Sequence, residues 1–218
     1  MARLEKKVLG EIRGRVGDIV GKVRNGKQYI ASRPTKYTMS TAPHEVDKRN
    51  RFKVNALFAK SLKENKLLYS IWDKDKAPAA SAYNKICKVN FKLCGTQRPT
   101  TENLITPGGF ILPVESISYL LDKIEAELKP FDILPGEKRV IFILLTSFYE
   151  PVGNETDYFK IKRIENYDMD ELKLTFNFNI TEKQIASAYK KRLALLAAVT
   201  QDDSGNILRW SETISREL

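Results

Sequence analysis

Basic side chains near the start of this sequence are its best candidates for binding chemistry. The candidate residues are Arg13, Arg15, Lys22, Arg24, Lys27, Arg33 and Lys36, interleaved with Tyr29 and with glycines at positions 10, 14, 17 and 21. Glycines this close together disfavour a helix, because each costs about 1 kcal/mol relative to alanine there. We therefore expect an extended arm that contacts phosphate groups, docks on an acidic protein surface or presents a solvated face.

The other residues offer little for catalysis or metal binding. His44 is the only histidine, and Cys87 and Cys94 form no C-x-x-C pair, whereas a structural zinc site needs about four nitrogen or sulfur ligands. The sequence has no G-x-S-x-G nucleophile turn and no G-x-x-x-x-G-K-[ST] phosphate loop. We expect a protein that is not an enzyme, with no cofactor, no metal and two reduced cysteines.

Three short patterns resemble binding motifs but have simpler interpretations. Gly14-Arg-Val-Gly17 matches the G-x-x-G loop of KH domains, which lies between two helices, and the neighbouring glycines disfavour helices here. Residues 202–206 lack the alternating acidic positions of a calcium loop and predict a tight turn. Aromatic residues at strand spacing favour a core over a base-stacking platform; these are Phe148, Tyr149, Tyr158, Phe159, Phe176 and Phe178.

Charge and composition divide the chain in two. Residues 1–99 hold 23 basic and 8 acidic side chains, a net charge of +15, and residues 100–218 hold 14 and 19, a net charge of −5. The composition of residues 95–107 is typical of a linker. We therefore predict a basic arm, hairpin and helical module at 1–97 and a second domain at 98–218. No apolar run approaches the roughly 18 residues of a membrane helix, so we expect no membrane contact.

In the first module, the sequence predicts a β-hairpin that carries several of the basic residues, followed by helices. The pattern predicts strands at 18–24 and 27–33, joined by Asn25-Gly26, a favoured pair for a type I′ turn. Because a two-stranded hairpin is marginal alone in water, this one needs a partner surface. Apolar periodicity predicts helices across 42–93, with a break within 61–66 and a third helix from 77.

The second domain combines strands with short helices. The spacing of Ile117, Leu120, Leu121, Ile124 and Leu128 predicts one helix at 115–128. A capping-box pattern at 181–184 predicts a short helix at 182–191, and residues 193–200 and 206–213 predict a hairpin. The chain is therefore expected to have an α+β fold that ends in an antiparallel immunoglobulin-like β-sandwich with one or two helices.

A series of short motifs in the first module points to a family. In chain order these are Gly14-x-x-Gly17-x-x-Val20, Gly26-Lys27-Gln28-Tyr29, Ser32-Arg33-Pro34, Arg49-x-x-Phe52, Trp72, Ser81-Ala-Tyr83-Asn84 and Asn90. Their order resembles poorly characterised structural-type proteins of Bacteroidota bacteriophages and mobile elements, which combine a glycine-rich G-K-x-x-x-R arm, R-x-x-F and Y-N…N helices and a β-sandwich C-terminal domain. The similarity covers residues 10–93 by motif. The chain departs from the family at Thr41-Ala-Pro43-His44, where T-P-x-Q is frequent, and in the helix at 115–128.

The resemblance implies a virion structural protein without catalytic residues. We expect a head–tail connector or ring subunit, or a capsid auxiliary protein, that is made in the host cytoplasm and located in the virion. Its expected partners are portal, capsid or tail subunits and copies of itself in a homo-oligomer, with DNA contact left open. The arm would extend a sheet of a neighbouring subunit, and the acidic half would be the complementary surface. The alternative is a nucleic-acid-binding protein that uses the basic N-terminal half.

Overall fold

The structure, a computed structural model, describes residues 2–3, 14–24, 26–33, 38–76, 78–153, 158–164 and 172–218. The chain divides into two compact units, an N-terminal unit, Met1–Glu45, and a second unit, Val46–Leu218. The described residues form four helices and three antiparallel sheets, which confirms the α+β fold class.

A four-stranded antiparallel sheet forms the N-terminal unit. It contains β1 (Ala2–Arg3), β2 (Gly14–Val16), β3 (Ile19–Arg24) and β4 (Lys27–Ser32), in the order β1-β4-β3-β2. The strands predicted at 18–24 and 27–33 are confirmed as β3 and β4. Gly17 and Gly26 lie in the two turns with φ of 59° and 71°, where glycine is favoured. The G-x-x-G stretch therefore lies on β2 and its turn, not between two helices.

Three helices follow along the chain: α1 (Pro43–Glu64), α2 (Lys66–Lys74) and α3 (Ala82–Asn90). Asn65 separates the first two, because its Oδ1 accepts hydrogen bonds from the backbone N–H groups of Leu67 at 3.0 Å and Leu68 at 3.2 Å. The break predicted within 61–66 is thereby confirmed. The third helix begins later than the predicted residue 77, at the point where the Ser81 hydroxyl accepts a hydrogen bond from a first-turn N–H.

Two further antiparallel sheets belong to the second unit. The smaller sheet has the order β5-β6-β9, with β5 (Val114–Leu120), β6 (Lys123–Leu128) and β9 (Lys173–Asn177). The larger sheet contains β7 (Arg139–Pro151), β8 (Tyr158–Ile164), β10 (Tyr189–Gln201), β11 (Ile207–Trp210) and β12 (Ile214–Glu217). Strands β7 and β10 pair along almost their whole length at its centre. The predicted hairpin is confirmed as β10 and β11, joined by the tight turn at 202–206.

Strand β7 is buried on both faces because two different layers cover it. Ile141, Ile143 and Leu145 share a core with residues of α1, α2 and α3. Phe142 and Leu144, which point the other way, share a second core with residues of the smaller sheet. A strand covered on both sides has no polar face, which explains the continuous apolar run from 140 to 145.

The helix predicted at 115–128 is wrong. The segment forms β5 and β6, which pair with each other across a turn at Leu121 and Asp122. Leu121, which the helical pattern placed on the apolar face, is 85% exposed at that turn, and Leu120 is 41% exposed. The coincidental helical spacing is overridden because β6 also pairs with β9, which comes from much later in the sequence.

The short helix before β10 is also displaced from its predicted position. Helix α4 spans Ile180–Ser187 instead of 182–191, and its N-cap is Asn179 rather than Thr181. The Asn179 side chain accepts a hydrogen bond from the Glu182 N–H at 2.8 Å, and the Glu182 carboxylate accepts one from the Asn179 N–H at 2.9 Å. The capping box exists, but it uses the asparagine two residues earlier.

Residues 95–107 pack into the second unit despite their linker-like composition. Asn103, Ile105 and Thr106 are fully buried. The Asn90 side chain at the end of α3 accepts hydrogen bonds from the Leu104 N–H at 2.8 Å and from the Asn103 amide at 3.0 Å. The two compact units divide between Glu45 and Val46, and the sequence predicted a division between 97 and 98.

Candidate binding surfaces

The register of the N-terminal sheet assigns its residues to two faces. Directly opposed residues of antiparallel strands lie on the same face. Lys22 opposes Tyr29 across β3 and β4, and Arg15 opposes Val20 across β2 and β3. Since Val20 and Lys22 are two positions apart on β3, all four residues share one face, which we call the basic face.

The basic face brings together part of the predicted set. Lys27, two positions from Tyr29 on β4, joins Arg15 and Lys22 there, and these three cations are exposed. The Arg15 Nε–H donates a hydrogen bond to the Gly17 carbonyl at 3.0 Å, which orients this guanidinium toward the β2–β3 turn. Tyr29 is half-buried between the cations. The face therefore offers several positive charges around one aromatic ring.

Of the remaining predicted residues, the structure describes Arg33 and the backbone of Arg24. Arg33 is exposed just after β4, where its backbone N–H donates to the Asp18 carbonyl at 2.7 Å. The backbone of Arg24 opposes Lys27 at the end of β3, but its side chain lies outside the described residues. Arg13 and Lys36 also lie outside the described residues.

The opposite face of the same sheet is apolar. Val16 opposes Ile19, and Val23 opposes Gln28, on the face away from Lys22. Val16 is 66% exposed, Ile19 48% and Val23 39%, and half-buried Ile30 lies beside them. Sequence reasoning missed this apolar face, although the alternation of Ile19, Gly21 and Val23 with Val20, Lys22 and Arg24 is the signal that could have found it. We call it the apolar face.

A second surface missed by sequence reasoning lies on the helices. A groove of about 640 Å³ is lined by Phe52, Lys53, Ala56, Leu57, Lys60 and Lys63 of α1 and by Tyr83 of α3. Burial raises the pKa of the Tyr83 hydroxyl, and a hydrogen bond with Cys87 adds to the rise, so this phenol stays neutral. The helical spacing of the α1 residues was the available signal. We call this surface the α1 groove.

The histidine considered for catalysis is exposed, and four of the aromatic residues considered for base stacking are buried. His44 is exposed near the start of α1, with its Nε2 3.2 Å from the Glu45 carboxylate. Phe148, Tyr149, Phe176 and Phe178 are buried, in keeping with a core role, while the side chains of residues 158 and 159 lie outside the described part. The described residues contain no group of three or more histidine, cysteine or acidic side chains that could hold a metal ion. No helix among them is both long and apolar enough to cross a membrane.

Comparison of the chain with protein-family models, with curated proteins and with solved structures finds no match.

Proposed function

We propose that this protein is a non-enzymatic assembly subunit that locks onto neighbouring subunits through its N-terminal unit. The observation that carries the proposal is the apolar face, where exposed Val16 opposes exposed Ile19 and Val23 is exposed further along β3. An exposed apolar patch on a small sheet costs free energy in water, and burial against a partner recovers about 25 cal/mol per Å². Strand β2 is the last strand of this sheet among the described residues, and a neighbouring strand can extend such an edge.

The virion is the proposed setting of this assembly. The motif resemblance to structural-type proteins of Bacteroidota phages supports a head–tail connector or ring subunit, or a capsid auxiliary protein. Its partners would be portal, capsid or tail subunits and further copies of itself. The immunoglobulin-like sandwich is part of the same proposal, supported by the core that the smaller sheet shares with β7 and β10.

Substitution of the apolar face tests the proposal in the full-length protein. We expect Val16→Thr with Val23→Thr to shift the protein toward monomer in size-exclusion chromatography with light scattering, because threonine keeps the strand preference but weakens apolar burial. Val20→Thr on the basic face is the matched control and should leave assembly intact. A wild-type protein that stays monomeric and is absent from purified phage particles would contradict the proposal.

A second candidate function is nucleic-acid binding, favoured by the basic face. Arg15, Lys22 and Lys27 are exposed around Tyr29, a combination of cations and an aromatic ring that suits phosphates and bases. If this face binds duplex DNA, the logarithm of the affinity should fall with the logarithm of salt by about 0.9 per phosphate contact. Lys22→Glu with Lys27→Glu should abolish binding, and Lys138→Glu with Lys190→Glu, which changes the net charge equally at exposed sites elsewhere, should weaken it little. Absence of binding at low salt would eliminate this candidate.

A further inference from the structure

The outward face of α1 combines apolar and cationic side chains in an unusual way for a solvated helix. At about 100° per residue, the six α1 residues of the groove fall within an arc of about 140°. The buried residues Val54, Phe58 and Leu62 occupy the opposite side of the helix and face the core. The groove therefore lies on the helix face that the fold of the second unit does not use.

Large apolar side chains remain exposed in the α1 groove. Phe52 is 60% exposed and Leu57 is 48% exposed, and half-buried Ala56 lies between them. Tyr83 of α3 closes one side of the groove with its half-buried ring. These side chains form a floor onto which apolar groups of a partner can pack.

Three lysines surround this floor. Lys53, Lys60 and Lys63 are exposed, and within the described residues none of them pairs with a carboxylate. Unpaired cations around an apolar floor fit a segment that carries both carboxylates and apolar side chains. A nucleic acid would use the lysines but would bury little of Leu57 and Ala56, so the groove favours a peptide segment.

The chain itself contains a segment with the required chemistry. Residues 165–171 read Glu-Asn-Tyr-Asp-Met-Asp-Glu, with a net charge of −4 and two large apolar side chains, Tyr167 and Met169. The segment lies outside the described residues, so the complementarity is one of charge and composition. We propose that the α1 groove binds residues 165–171 of a second copy of this chain.

This contact is head to tail, because the groove and the segment are different parts of the chain. A heterologous contact of this kind repeats from copy to copy and produces a closed ring or an open filament. The contact would be one of those that assemble the protein, and it rests on the proposed function in one respect, that copies of the chain associate.

Direct binding of the segment is the decisive measurement. A fluorescein-labelled peptide of residues 164–172 is titrated with the full-length protein and followed by fluorescence anisotropy. We expect saturable binding that weakens as salt is raised, because three lysines face four carboxylates. Lys53→Glu, Lys60→Glu and Lys63→Glu together should weaken it at least about tenfold, which corresponds to about 1.4 kcal/mol. Phe52→Ala should weaken it at constant charge.

Matched controls separate this contact from general electrostatics. Lys92→Glu, Lys138→Glu and Lys190→Glu change the net charge by the same amount at exposed sites outside the groove. No peptide binding at low salt, or an equal loss in this control, would overturn the proposal. Displacement of the peptide by a single-stranded oligonucleotide that binds more tightly through the same lysines would also overturn it, in favour of nucleic acid. Circular dichroism spectra confirm that each variant is folded.

Mixing two full-length variants shows whether the contact forms between copies. One variant carries the three groove substitutions, and the other carries Glu165→Gln, Asp168→Asn, Asp170→Asn and Glu171→Gln. Each alone should associate less than wild type, and an equimolar mixture should regain a dimer, since it combines one intact groove with one intact segment. If the mixture forms no dimer although the wild-type protein associates, the proposed contact between copies is wrong. The Val16→Thr, Val23→Thr protein should still bind the peptide, so failure of the N-terminal docking proposal is distinguishable.

Discussion

Glu137 and Arg209 form an ion pair in which the carboxylate is buried. The Glu137 carboxylate is buried and accepts hydrogen bonds from Arg209 Nη2 at 2.9 Å, Thr200 Oγ1 at 2.7 Å and the Leu134 N–H at 2.8 Å, besides the Arg209 Nε–H. The guanidinium also lies 4.4 Å from the centre of the Phe110 ring. Burial opposes ionisation of Glu137, but the hydrogen bonds from Arg209 and Thr200 outweigh it and hold its pKa below the ordinary value.

Glu137→Gln should therefore destabilise the protein in a pH-dependent manner. We expect a loss of about 2 kcal/mol at neutral pH, because Arg209 loses its countercharge inside a buried network. A carboxyl with a lowered folded-state pKa stabilises the fold above its unfolded pKa of about 4.3, and that stabilisation is lost as the pH falls through the lower folded pKa. The difference between the urea midpoints of wild type and variant should thus shrink in acid.

Glu115→Gln provides the control for this measurement. Glu115 lies 3.2 Å from Lys129 in an exposed pair, and such pairs contribute about 0–1 kcal/mol. A gap between wild type and Glu137→Gln that stays constant from neutral to acid pH would contradict the assignment of the effect to the ionised carboxylate.

At the scale of elements, Gly109 allows a loop to cross closely over strand β11. The next residue, Phe110, donates its N–H to the Trp210 carbonyl at 3.0 Å and accepts from the Glu212 N–H at 2.9 Å. Gly109 has a φ of 139°, and a Cβ at this position would overlap the Trp210 carbonyl oxygen. Both the backbone conformation and the close approach require glycine here.

Gly109→Ala should consequently destabilise the second unit more than an ordinary glycine substitution does. We expect a loss of about 3 kcal/mol, because a strained backbone and a backbone clash act together. Gly205→Ala serves as the comparison, since Gly205 also has a positive φ, of 80°, but a Cβ added there would lie in open space. It should cost about 1 kcal/mol. Equal losses in thermal or urea unfolding would show that the close approach contributes nothing.

Helices α1, α2 and α3 share one core of the second unit with strands β7 and β10. The indole N–H of Trp72 in α2 donates to the Ile105 carbonyl at 2.9 Å, and its ring packs in the cluster that also contains residues of β7 and β10. If the helices before position 97 unfold, the strands after it lose their packing partners, and the reverse also holds. This arrangement predicts a single cooperative transition for residues 46–218.

Unfolding of Trp210→Phe measures this cooperativity. The variant leaves Trp72 as the only tryptophan, so its fluorescence reports the helices, while far-ultraviolet circular dichroism reports helices and strands together. We expect coincident urea transitions from the two probes. Separate transitions would instead support independent folding of the modules predicted at 1–97 and 98–218.

Local patterns predicted the parts of this fold that depend on neighbouring residues. The hairpin around Gly26, the helix break at Asn65 and the turn at 202–206 follow from turn and cap chemistry within a few positions. The helix predicted at 115–128 failed because β6 is stabilised by pairing with β9, about fifty residues later in the chain. The candidate residues were found by charge, but the register of the strands was needed to place Arg15, Lys22 and Lys27 on one face.

The basic charge of the N-terminal half, the strand alternation around Lys22 and the turns that join those strands follow from the amino-acid sequence alone. These properties depend on residue type and on contacts within a few positions of the chain. Three other features depend on the folded chain: the packing of residues 95–107, the exposure of Val16 and Ile19 on one face of the N-terminal sheet, and the open α1 groove. Burial is a property of what lies opposite a residue, and that depends on segments far away in the sequence.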